Sequence, residues 1–152
     1  MTVQEWQARS IERQANLLAH TLKATPADRL AWKPAGEDGN EGRSALEQVA
    51  EVSELSRVLA ALFSGGTPMR TGGQPGDAAT AASEVMESAS LLAAAVRGMD
   101  EGAIDRTYET PFGPLAGSVL LDIAASHMAY HNGQINYIQT LYGDREFHFP
   151  ES

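Results

Sequence analysis

The stretch Ser126-His127-Met128-Ala129-Tyr130-His131-Asn132-Gly133-Gln134-Ile135 sets two histidines four residues apart inside an apolar-faced segment. On a helix, positions four apart lie on one side with their Cβ atoms roughly 5–6 Å apart, a separation that one metal ion can bridge. The same periodicity extends both ways, from Leu115–Ser118 through Tyr142, and Gly143 closes it. About 25 residues at about 1.5 Å each span nearly 40 Å, so this helix is expected to be the longest element of the chain. Its inner face reads Leu120, Ile123, Ala124, His127, His131, Gln134, Ile138 and Leu141.

Three further helical patterns precede it. Trp6, Ile11, Ala15, Leu18 and Leu22 recur at helical spacing between Val3 and Ala24, where Thr25-Pro26 stops the run, because a residue before proline is pushed out of the helical region. Ser44-Ala45-Leu46-Glu47 reads as a capping box opening a second helix to Phe63. Its stripe of Leu55, Val58 or Leu59, and Leu62 steps back onto Glu51, which puts a carboxylate where an apolar residue is expected. Asp77 caps a third, alanine-rich helix from Ala78 to Arg97, whose small side chains imply close approach to a neighbour.

The connectors are long. Ala27–Arg43 carries Leu30-Ala31-Trp32-Lys33-Pro34 and then a polar, glycine-bearing run; Trp32 is expected to pin it to the bundle, and Trp6 to join the core. Ser64–Gly76 reads as a Gly/Pro loop, and Met99–Gly117 as a connector with an extended piece at Asp105–Thr110. The tail with Phe147, His148 and Phe149 is expected to fold back on the helices. With no strand series and no internal repeat, the reading is one all-α domain over residues 1–152, a four-helix bundle with long connecting loops.

Composition limits the function classes. Eleven basic against twenty acidic residues give a net charge of −9, and no Lys/Arg cluster offsets it, which argues against nucleic acid or an anionic membrane as partner. No apolar run approaches the roughly 18–20 residues of a membrane span. The start Met1-Thr2-Val3-Gln4-Glu5-Trp6 has no basic-then-apolar signal pattern, so a cytoplasmic location is expected. The chain has no cysteine, so any metal must be held by nitrogen and oxygen.

Spacing alone leaves His127 and His131 open to a structural reading or a metal-binding one. Glu51 on an inward stripe shifts the balance, because an unpaired buried carboxylate costs several kcal/mol and calls for a cation or hydrogen-bond partners. Glu47 and Glu54 are nearby alternatives, although Glu54 could instead pair with Arg57. Met128 in place of a glutamate after the first histidine excludes the zinc-protease pattern. Tyr130 and Asn132 point away from the histidines on a helical wheel, whereas Gln134 shares their face; His20 and His148 are more readily a helix-end and a tail histidine than ligands.

The string from His127 to Ile135, the Leu30–Pro34 connector and the order of four helices resemble the DinB/YfiT-like superfamily of bacterial bundles, over nearly the whole chain. The resemblance implies a divalent metal, usually zinc or nickel, on three histidines, one from the second helix and two from the fourth; by ligand chemistry two imidazoles and a carboxylate also suit ferrous iron. It also implies homodimers and, among members with known activity, transferases and isomerases that use low-molecular-weight thiols, and metal-dependent hydrolases. Two ligands carry over onto His127 and His131. The third falls at Glu51, a departure from histidine that would lower the site's charge by one unit and make bound water less acidic. The expected function is thus a metal-dependent transferase or hydrolase acting on a small molecule; the alternative is a non-catalytic ligand-binding or dimeric module.

Overall fold

A computed structural model of the chain describes residues 1–67, 73 and 75–150. Four helices form the body: α1 (Val3–Ala24), α2 (Ala45–Phe63), α3 (Ala78–Arg97) and α4 (Gly117–Leu141), so the all-α bundle stands. The expected caps close. Ser44 and Glu47 exchange both bonds of the capping box, at 2.8 and 3.3 Å, and Asp77 Oδ1 accepts from Thr80 N at 2.8 Å. Thr25 leaves α1 in an extended conformation ahead of Pro26. Gly143, at φ +100°, turns the chain out of α4, a conformation glycine adopts without a Cβ penalty. Of the loop expected at Ser64–Gly76, residues 68–72 and 74 lie outside the described residues.

Each of α1 and α2 packs between α3 and α4. The buried residues of α1 fall at Ala8, Ile11, Ala15, Leu18 and Leu22, alternating steps of three and four. Those of α3 include Ala81, Val85, Ala89, Leu92 and Val96, and the alanines let the two helices approach closely. Arg97 ties the pair at one end, bonding Glu5 at 2.9 Å and Glu12 at 2.7 and 2.9 Å. On the other side of α1, Gln139 of α4 donates to Thr21 O and Thr25 Oγ1 at 3.3 and 3.1 Å.

Two stripes differ from the sequence reading. The core face of α2 is Ala45, Val49, Val52, Ser56 and Leu59, rotated from the Glu51-Leu55-Leu62 line. Buried serines cause the shift: Ser56 satisfies its hydroxyl on Val52 O at 2.7 Å, so a polar residue sits at a core position. In α4 the face is Gly117, Leu121, Ala124, Met128, His131, Ile135 and Ile138, again in threes and fours. His131 is on this face, His127 and Gln134 are on its flank, and Leu141 is exposed.

The connector before α4 also holds more structure than expected. Strands β1 (Thr107–Thr110) and β2 (Gly113–Ala116) pair antiparallel, with Thr110 opposite Gly113. Pro111-Phe112 make the turn, Gly113 at φ +98° closes it, and the Thr110 side chain braces it by accepting from Phe112 N and donating to Gly113 O. Gly-Pro-Leu-Ala carries no alternating apolar pattern, so β2 reads as helix start from sequence; it forms because the turn delivers it to β1. Tyr108 packs edge-on against Phe63 at the end of α2, ring centroids 5.8 Å apart. α4 then starts at Gly117, whose Cα lies so close to the Ala103 carbonyl that a Cβ would overlap it.

Three aromatic expectations divide. Trp32 does pin its connector, edge-on to Tyr142 with centroids 6.0 Å apart. Trp6 is 53% exposed and outside the core, since α1 turns it away from the Ala8-Ile11-Ala15 face. Phe147 and Phe149 stack on each other and stay exposed, and His148 bonds Asp144 at 2.7 Å within the same tail. Phe147 and Phe149 therefore do not cover the bundle, whereas the His148 and Asp144 side chains are half-buried. Among the described residues no helix is long and apolar enough to cross a membrane.

Candidate metal centre

Glu51, His127 and His131 meet at the α2–α4 seam, with one potential ligand atom from each lying within 4.8 Å of the others. The two imidazole Nε2 atoms are 3.0 Å apart. Glu51 Oε1 stands 3.9 Å from His127 Nε2 and 3.7 Å from His131 Nε2. Bonds of about 2.0–2.1 Å at a tetrahedral angle set ligand atoms roughly 3.3–3.4 Å apart, a value the three observed separations bracket. The donor set fits a divalent ion in both chemistry and spacing.

Each candidate ligand is positioned differently. His131 is held by the core: its side chain is 3% exposed, and its Nδ1–H donates to Gln48 Oε1, one turn before Glu51 on α2. That bond fixes the tautomer and leaves the Nε2 lone pair aimed at the seam. His127, on the flank, is hydrogen-bonded through Nε2 to His131 Nε2, so in the metal-free protein His127 is the donor of that pair. To ligate, His127 must carry its proton on Nδ1 instead.

Glu51 departs most from the sequence reading. Its side chain is 42% exposed, and Oε2 pairs with the Arg43 guanidinium. The carboxylate is therefore neither buried nor unpaired, because the true core stripe of α2 passes beside it. The extra negative charge expected from Glu51 is offset by Arg43. Glu54 lines a cleft with Glu51, and Arg57 bonds Glu84 of α3 at 2.6 Å. Glu47 is taken by the capping box and by Lys33 at 2.6 Å.

Both imidazoles are held neutral. Burial first, then the neighbouring His131, lowers His127 from 6.5 to about 4. Burial and then the Arg43 guanidinium lower His131, with the Gln134 side chain opposing them. With folded values below unfolded ones, the unfolded chain takes up these protons first as pH falls. The stability of the metal-free protein should hold above pH 6.5 and decline toward about 4, with a urea midpoint that drops more steeply across that window than the midpoint of His127→Ala. Parallel curves would contradict the shift.

Two clefts meet at Glu51. One, of about 450 Å³, is lined by Arg43, Gln48, Glu51, Tyr130, His131 and Gln134. The other, of about 480 Å³, is lined by Glu51, Glu54, Leu55, Pro111, Phe112 and His127. Gln134 Oε1 is buried with no hydrogen-bond partner among the described residues. Tyr130, placed away from the histidines by helical-wheel position, packs edge-on to His131 with centroids 5.2 Å apart and borders the polar cleft; its ring reaches around the helix where its Cβ does not. Gln48 and Arg43 are the residues that sequence reasoning misses. The one signal for Gln48 is its place a turn before Glu51; Arg43 precedes the helix and carries none.

The triad excludes His20 and His148. Comparison with known proteins gives two findings. The DinB superfamily model matches residues 10–135. The crystal structure of a DinB-like protein of Bacillus subtilis, YjoA, superposes with a TM-score of 0.73 at 19% sequence identity, covering 95% of this chain and 96% of that one. No curated protein matches the sequence.

Proposed function

Because the chain belongs to the DinB superfamily, we propose that it binds a divalent metal through Glu51, His127 and His131 and uses it as a transferase or hydrolase centre. The observation that carries the reading is the convergence of one carboxylate oxygen and two imidazole nitrogens within 4.8 Å. Two nitrogens and an oxygen suit zinc, nickel or ferrous iron. When bound, such an ion supplies Lewis acidity toward a thiol or water in a position the protein leaves open.

The chain's own groups do the rest. Gln48 orients His131, and the depressed basicity of both imidazoles keeps their lone pairs available at neutral pH. The two clefts favour transfer over hydrolysis, since they offer one polar and one more apolar berth on either side of Glu51. Arg43, Tyr130 and Gln134 suit a polar cosubstrate, a low-molecular-weight thiol by family resemblance; Leu55, Pro111 and Phe112 suit an apolar electrophile. A homodimer belongs to the same proposal and is checked by sedimentation velocity.

A second reading has an observation of its own. Glu51 is satisfied by Arg43, and His131 by Gln48 and His127, without any ion. A metal-free bundle acting as a binding module is consistent with that network. The discriminating experiment is metal analysis of untagged protein after incubation with zinc, nickel and ferrous iron, followed by assays of the loaded protein with thiols plus electrophiles and with simple esters. About one equivalent of metal supports the centre, and none selects the module.

A further inference from the structure

We propose that Arg43 is the positioning residue of the metal centre, the group that makes Glu51 serve in place of a third histidine. The inference rests on the metal-binding reading above. Glu51 divides its two oxygens: Oε2 meets the Arg43 guanidinium, while Oε1 faces both imidazoles at 3.7 and 3.9 Å. A glutamate on the exposed flank of a helix has several rotamers open to it, and nothing on α2 itself selects this one. The selection comes from Arg43, outside the helix and ahead of Ser44.

The pairing also settles charge. A neutral histidine and a carboxylate bound to a guanidinium have the same net charge, so the Glu51–Arg43 unit presents an ion with a single oxygen donor without adding a negative unit. As a device for stability the pair is weak, because its side chains are 60% and 42% exposed and exposed ion pairs contribute little. Its location is what distinguishes it. Arg43 lines the polar cleft together with Gln48, Glu51 and His131. The guanidinium also repels a dication, but solvent screens that repulsion on the exposed side and Oε2 offsets it, so orientation of Oε1 dominates.

The test is a cobalt(II) titration of the metal-free full chain against a chromophoric chelator, run for the native protein, Arg43→Met, Arg43→Lys, Glu51→His and the Arg43→Met/Glu51→His pair. Arg43→Met is expected to weaken binding about 10–100-fold, as loss of a partner behind a ligand does. In the Glu51→His background, where there is no carboxylate to hold, the same change should alter affinity by no more than about twofold, the margin for uncoupled sites. Arg43→Lys, which keeps the charge without the fork, should recover only part. Unchanged or tighter binding by Arg43→Met, equal losses in both backgrounds, or full recovery by lysine would overturn the positioning role while leaving the metal centre intact. A native protein that takes up no cobalt overturns both.

Discussion

His131→Ala should abolish metal uptake and also unfold about 5–15 °C below the native metal-free protein, whereas His127→Ala should abolish uptake with little change in melting temperature. As proposed ligands the two are equivalent, since each offers one Nε2 to the same seam, and losing either should remove more than the roughly 10–100-fold typical of an outer partner. They differ in what holds them. His131 is 3% exposed against 19% for His127. Truncating His131 opens a cavity on the core stripe of α4 and leaves Gln48 Oε1 without its donor, a combined cost of about 2–4 kcal/mol. For a domain of this length each kcal/mol is worth about 2–4 °C. His127 gives up one bond, to His131. Gln48→Leu should weaken uptake without abolishing it. If melting of metal-free His131→Ala matches that of His127→Ala, the buried placement of His131 is wrong.

Gly117→Ala should destabilise the protein by about 1–3 kcal/mol, a fall of roughly 3–10 °C, while Gly133→Ala should raise stability by about 0.5–1 kcal/mol. Both glycines belong to α4, and helix propensity alone predicts a gain at each. At Gly133 a Cβ meets nothing within 4 Å, so propensity decides. At Gly117 a Cβ would collide with the Ala103 carbonyl oxygen, and the neighbouring Ile104 carbonyl is also close. Backbone is the obstacle there, so no rotamer change relieves it. The Gly117 amide also donates to Arg106 O at 2.8 Å, and Ser118 N to Ile104 O at 2.8 Å; a shift of α4 that makes room for a methyl stretches both. Equal signs at the two positions in thermal melts would show that the close approach of α4 to the Ala103 turn is not real.

The helices were legible where local chemistry sets them. A capping box at Ser44, a capping aspartate at Asp77 and a pre-proline stop at Thr25 act within a turn of themselves, so their residues alone locate α1, α2 and α3. Faces were harder to read. Ser53 and Ser56 are buried with their neighbours on α2, and counting apolar letters therefore rotated the stripe onto Glu51. Strand β2 was hidden because its residues have no strand pattern of their own. At the site, His127 and His131 could be read because four-residue spacing is a local fact, and Glu51 because the family register fixes it. Gln48 and Arg43 act across space, on a ring 83 residues later in one case, and no periodicity encodes that.

The seam between α2 and α4 is where the bundle has the most to gain from an added tie. α1 and α3 are already stapled by Arg97 and by close-packed alanines, and the chain has no cysteine with which to cross-link anything. An ion bridging Glu51 to His127 and His131 would close a loop from the start of α2 to the middle of α4, enclosing the hairpin and all of α3. Folding and occupancy are then one equilibrium: ligand at 100 times its dissociation constant adds about 2.7 kcal/mol. Metal supply would set how much of this protein survives in a protease-containing milieu, so its abundance could report on the metal whatever reaction the site performs.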